Sequence, residues 1–274
     1  MENNIKPFGW RRNLDYFKEN FIIMWKSLVE YKMNFLVAFI EQIIFFFAQF
    51  IFFIVFSQNF AKDIGWNVSD FLIFAMFADF IIVFAGFFIW KFYRFQSILV
   101  TGKLNSYINK PINSMFCFIF SDFSSRAFTM LLMNIIVFPI ILIYFKISFV
   151  KLLIPFILFL FICSMYIFAF SFFSSINFFN FGISDALFNS YDTVLHGISK
   201  SYPAPFFDKN VVLKKILFFV PIFFIGSLLI PLINGSSLNE FYFQIIALLF
   251  FNLLFLLGLI MVWHYGLKRY EAFG

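Results

Sequence analysis

Residues 71–90 read FLIFAMFADFIIVFAGFFIW, twenty positions with Asp79 as the one charge. A helix needs about 20 apolar residues to cross the hydrocarbon of a bilayer, so this stretch reads as a membrane span. Working outward, comparable blocks lie at 33–56, 128–145, 152–173, 212–231 and 241–263. The composition agrees with that reading. Hydrophobic residues make up 63% of the 274 and charged residues 12%, against roughly 45–50% and about 25% for soluble domains. A globule with that ratio could not cover its own core, which excludes a soluble enzyme, a disordered chain and a disulfide scaffold. The fold class is an all-α polytopic membrane protein with six transmembrane helices. Pro221 predicts a kink in the fifth.

The remaining segments flank that 33–263 domain. Residues 1–32 form an N-terminal arm, and 264–274 a short tail. In the arm Leu14, Phe17, Phe21, Met24, Trp25 and Leu28 follow the three-and-four spacing of one helical face. Lys18, Glu19, Lys26 and Glu30 interrupt it on the other side, too much charge for a span. An interfacial amphipathic helix is expected, with Phe17, Phe21, Trp25 and Leu28 at the headgroup–acyl boundary. The arm has no apolar leader segment, so the first span is expected to double as the insertion signal.

Orientation follows from Lys and Arg. Six lie in the arm, four in the loop 91–114, four in the segment 174–215 and two in the tail, sixteen on one side. The opposite loops hold Lys62, Lys146 and Lys151. That asymmetry places both termini in the cytoplasm of a multi-pass cell-membrane protein.

Other features are less informative. The 53 Phe residues fall on every face, as AT-rich codon usage would produce, and mark no aromatic path. Cys117 and Cys163 sit in apolar stretches and read as small hydrophobes. Gly102-Lys103 lacks the surroundings of a phosphate-binding loop. His196 and His264 have no metal spacing, and no nucleophile–base cluster is visible. The chain reads as no enzyme, so energy for uphill movement must come from a partner or an ion gradient.

Polar residues inside the spans are the candidates for function, because each is costly there unless it faces a cavity or a partner. Glu41, Gln42 and Gln49 in the first span either line a pathway or bond to neighbouring helices. Asp79 reads either as a proton site or as a packed partner of another polar group. Asp122 and Arg126 have the spacing and order of a helical ion pair or else merely ease the entry of the third span into the bilayer, and Asn134 could bond across helices. The loop between spans two and three holds Gly102, Lys103, Leu104, Tyr107, Lys110 and Pro111. A Gly, a short amphipathic stretch and a Pro among basic residues describe a short helix at the membrane surface, either a plain positive-inside loop or a docking element for a soluble partner. Pro231, Asn234, Gly235 and Ser236 shape the connection before the last span, with breakers that define a turn. It is either a plain connector or, in a paired molecule, an outer gate.

The chain resembles the permease subunits of ATP-binding-cassette type-2 transporters. The helix before the first span, the Thr101-Gly102-Lys103-Leu104…Lys110-Pro111-Ile112-Asn113 loop, Ser201-Tyr202-Pro203 with Pro221 and Pro231, and the tail from Trp263 to Gly274 carry the likeness. The resemblance implies an exporter in which two permeases, identical or homologous, pair in the lipid. A separate ATPase subunit, holding ATP and Mg, would dock beneath them. No cofactor is expected on this chain itself, and no nucleic acid. The competing reading is a proton-coupled secondary transporter using Glu41 or Asp79.

Overall fold

The computed structural model describes residues 10–147, 149–179, 181–208 and 210–270, and among them it is helical with no strand. Helix α1, Trp10–Glu30, leads almost directly into α2, Lys32–Ile64. Gly65, at φ +73°, turns the chain, a conformation that costs glycine little. Helix α3, Val68–Ile89, then opens with the Asn67 amide donating to the Asp70 carboxylate at 2.9 Å, one of the orphan donors that a helix start must satisfy. It continues through a 3₁₀ stretch, Trp90–Arg94, and a last turn, Phe95–Val100.

Short helices α4, Asn105–Ile108, and α5, Ser114–Ile119, shape the loop that follows. Helix α6, Ser125–Tyr144, starts where Ser124 Oγ accepts from the Ala127 amide at 3.1 Å, an N-cap. Helix α7, Phe149–Ser175, follows. Among the described residues, five helical stretches, in α2, α3, α6, α7 and the last helix, are long and apolar enough to cross a membrane.

α3 is the central helix. Phe71, Phe74, Ala78, Ile81 and Ala85 are fully or almost fully buried on successive turns, because α2, α6 and α7 surround it. Of its two carboxylates, Asp70 lies in the first turn and Asp79 at mid-helix, where it is enclosed by protein.

The fifth expected span, 212–231, is not one helix. Helix α8 begins earlier, at Phe181–Thr193, and runs through a π-helical turn, Val194–Ile198, to Ser199–Ser201. This places a long helix inside what the sequence reads as a cytoplasmic segment. Phe188 packs near Tyr93 while Lys200 reaches Asp79, so α8 runs antiparallel to α3. Helix α9, Val211–Leu217, follows a turn. The chain then reverses around Pro221, which has no amide to continue a helix. It returns through a π-helical turn, Ile225–Leu229, into α10, Ile230–Ile233. Phe219 meets Phe255, halfway along the last helix, at 4.9 Å, whereas Asn234 bonds to Asp70 at the start of α3. Residues 211–233 thus form a folded-back hairpin whose tip reaches the middle of the bundle.

Helix α11, Tyr242–Arg269, closes the fold along α7. Small residues permit the approach: a Cβ on Gly258 would stand 2.9 Å from Phe172, and one on Gly266 would collide with Phe178. Close helix contact through glycine is the usual device where lipid supplies no hydrophobic drive.

The apolar face of α1 does not face outward as its periodicity suggests. Phe17 stacks edge-on to Phe120 and Phe123, Phe21 to Phe128, and Met24 is buried. Ile22, Ile23, Trp25 and Val29 form the exposed apolar strip instead. The arm is packed onto the start of α6.

Candidate functional site

Four helices converge on Asp79. Gln42 on α2 donates from Nε2 to Asp79 Oδ2 at 2.7 Å, and Asn134 on α6 donates to the same oxygen at 3.1 Å. Lys200 on α8 sits 3.5 Å from Oδ1, with its ammonium 4.1 Å above the Phe45 ring. Gln42, Asp79 and Asn134 are all buried. A buried carboxylate needs this set of partners, since the desolvation cost is repaid only by a countercharge and hydrogen bonds together. Asp79 is thus packed against polar partners from three neighbouring helices. Lys200, counted from sequence as a cytoplasmic loop residue, is the partner that was not legible.

Gln49 lies seven residues further along α2. It lines a cavity of about 380 Å³ with Phe45, Phe52, Phe53, His196 and Lys200. Gln42 is thus bonded to the carboxylate that pairs with Lys200, and Gln49 lines a cavity that Lys200 also lines.

Glu41 forms an ion pair with Arg126 at the start of α6. Asp122 and Arg126 do not pair, although their spacing alone would allow it. Ser124 caps α6, so Asp122 stands outside the helix, at φ +47°, and accepts from the Tyr107 hydroxyl at 2.9 Å. The spacing argument fails because it assumed that the helix began two or more residues too early.

The loop after α3 is anchored from below. Leu104 is fully buried, against an aromatic group in which Phe95, Phe118, Phe178 and Trp263 meet at 5.0–5.7 Å. Lys91 donates to the Phe118 carbonyl and to Ser121 Oγ. Lys110 donates to the Tyr16 hydroxyl at 3.0 Å, tying the loop to α1. Burial and the adjacent Asp122 carboxylate push the Tyr107 phenol up, so it stays protonated and keeps donating. Gly102, at φ +70°, supplies the left-handed turn. With Leu104 inward and Tyr107 half-buried, the outward face consists of Thr101, Lys103, Asn105, Ser106, Asn109 and Pro111. Of the docking residues named from sequence, Leu104 is a core anchor and not a surface contact.

Beside this loop opens the largest cavity described, about 880 Å³. Its wall climbs α3 from Ser97 to Ile82, crosses to Ser125 and Met130 on α6, and includes Tyr166 and His196. His196 lies 3.0 Å from the Tyr166 hydroxyl and 2.8 Å from the Asp192 carboxylate. It occupies the π-helical turn of α8, and such turns recur at functional sites. Asp192, His196 and Lys200 are spaced by four, a polar stripe that periodicity could have found.

At the opposite end, Asn234 donates to Asp70 at 3.1 Å and Gly235 takes φ +99°. The Ser236 amide donates to the Pro231 carbonyl at 3.1 Å. Pro231, Asn234, Gly235 and Ser236 thus form one tight turn pinned to the start of α3.

A set of long apolar helices around a polar centre defines a multi-pass membrane protein. The description "ABC-2 family transporter protein" matches residues 43–274, and the chain belongs to that family. No curated protein and no solved structure matches it.

Proposed function

We propose that the chain is the permease subunit of an ATP-driven exporter of the cell membrane, paired with a second permease, identical or homologous. ATP and Mg belong to a separate ATPase subunit that docks under the loop 101–111. The observation that carries this reading is the loop itself: a polar outward face held on a buried Leu104 anchor, beside the mouth of the 880 Å³ cavity. Force applied to that face would reach α3 directly through Lys91, Leu104 and the Phe95–Phe118 contact.

In this reading α8 provides a sixth crossing and 211–233 re-enters from outside without crossing. Asp192, His196 and Lys200 are tolerated in α8 because each has a partner within the protein, and a broken helix is tolerated at depth where it is buried in protein. The Lys and Arg balance survives the reassignment. With Lys209, Lys214 and Lys215 moved outside, the arm, the 91–114 loop and the tail still hold twelve against six, which keeps both termini cytoplasmic.

Copurification tests the proposal. The tagged permease should bring down a nucleotide-binding subunit, and Lys103→Glu with Asn109→Glu should release it without loss of folded permease. Purification of the intact permease with no such subunit, or retention by the double variant, would count against it.

A further inference from the structure

The 880 Å³ cavity is two-natured, and the division runs along α3. Its deep half is apolar, lined by Ile82, Val83, Ala127 and Met130. Its mouth is cationic, with Lys91, Arg94, Lys103 and Arg126 against a single lining carboxylate, Asp122. Two of these cations are already engaged. Lys91 is bonded to Phe118 and Ser121, and Arg126 is paired with Glu41, which lies outside the cavity. Asp122 accepts from Tyr107, and Asp192 behind the wall pairs with His196. Arg94 and Lys103 remain, both exposed and neither with a carboxylate partner among the described residues. Arg94 stacks on Trp90 at 5.8 Å, and Ser124 and Ser125 add hydroxyls at the same level.

The depth is that of a lipid and not of a small ion. Ile82 and Ser97 are fifteen residues apart on a helical path, about 20 Å at the rise of a helix. The volume falls within the roughly 300–1,000 Å³ of small-molecule sites. Trp90, Tyr93 and Tyr107 ring the mouth, the aromatic types that favour the headgroup level. The deep end of the cavity begins at Ile82, three residues beyond Asp79 and next to the polar cluster.

We propose that this cavity is the loading site for an anionic amphiphile, a lipid with a phosphate-bearing headgroup taken from the leaflet on the loop side. The headgroup phosphate meets Arg94 and Lys103, with Arg126 and the serine hydroxyls beside them. An acyl chain lies along Ile82, Val83, Ala127 and Met130. The proposal names the substrate class for the export function given above and rests on that reading.

The test is lipid retention by the purified permease, which requires no ATPase and so separates failure here from failure of the export proposal. The protein is equilibrated with equal amounts of phosphatidylglycerol and phosphatidylcholine, and the bound lipids are counted by native mass spectrometry. Phosphatidylglycerol should be preferred. The Arg94→Glu/Lys103→Glu variant should lose that preference by about 30-fold, from roughly fivefold per basic residue at an anionic surface. Arg94→Lys should retain most of it, which guards against loss through misfolding. Millimolar glycerol phosphate or inorganic phosphate should compete poorly. Equal retention of the two lipids, or an unchanged charge-reversed variant, would overturn the site. Displacement by free phosphate at the lipid's own concentration would overturn the amphiphile and leave a soluble anion.

Discussion

Replacing Lys200 by Met removes the countercharge of Asp79 while keeping the length of a side chain packed on Phe45. Asp79 then keeps the Gln42 and Asn134 donors at 2.7 and 3.1 Å but has no cation. Its side chain is 4% exposed, so water cannot substitute. Breaking one side of a buried pair costs about 3–5 kcal/mol, and the two surviving charge-assisted bonds place this case at about 3 kcal/mol. Asp79→Asn leaves Lys200 unpaired. At 17% exposure the ammonium has a partial escape, and the loss should be about 2 kcal/mol. The double variant D79N/K200M joins three amides beside an apolar chain and should lose about 2 kcal/mol, well short of additive. The coupling is then about 3 kcal/mol, the upper end for contacting residues. Equilibrium unfolding of the four proteins in one detergent or bilayer system measures it. Losses that add within about 0.5 kcal/mol would refute a direct Asp79–Lys200 pair and with it the placement of α8 against α3.

Three further outcomes follow from named contacts. Leu104→Asp should unfold the loop and destabilise the permease by several kcal/mol, because it buries an unpaired carboxylate at a fully enclosed position; a thermal-shift measurement would show little change if the residue were exposed. Gly226→Ala should cost about 1–3 kcal/mol, since its Cβ would stand 2.9 Å from the Ala204 backbone and 3.3 Å from Trp66; normal stability would mean that the hairpin does not pack there. Ser236→Cys should crosslink between paired permeases and block transport if the 231–236 turn is an outer gate, and a crosslinked pair that still transports would leave it a connector.

The legibility of this fold tracks how strongly each segment depends on lipid. α2, α3, α6, α7 and α11 are apolar on most faces, and hydropathy alone finds them. α8 was missed because it carries Asp192, His196 and Lys200, whose compensation by Tyr93, Tyr166 and Asp79 is tertiary and leaves no trace in local composition. The 212–231 stretch misled for the opposite reason. It is apolar enough to span, yet Pro221 reverses it, and a kink and a reversal look alike in sequence. At the site, Gln42 and Asp79 were visible as intramembrane polar groups, but nothing local pairs them. Asp122 and Arg126 do not pair because a helix boundary, set by a serine cap, falls between them and overrides their spacing. In α1 the periodicity marks Phe17, Phe21 and Met24, which pack against protein, but also Leu14 and Trp25, which are exposed.

The account depends on α8 crossing the membrane, so that the loop 101–111 and the turn after α8 lie on opposite faces. Single cysteines at Ser106 and Asp208, both exposed, can be placed in a background lacking Cys117 and Cys163. They are then treated in intact cells with a thiol reagent that cannot cross the membrane. The account predicts that position 208 labels in intact cells and position 106 labels only after permeabilisation. Labelling of both from the same side would contradict it, returning α8 to a cytoplasmic segment and 212–231 to a span.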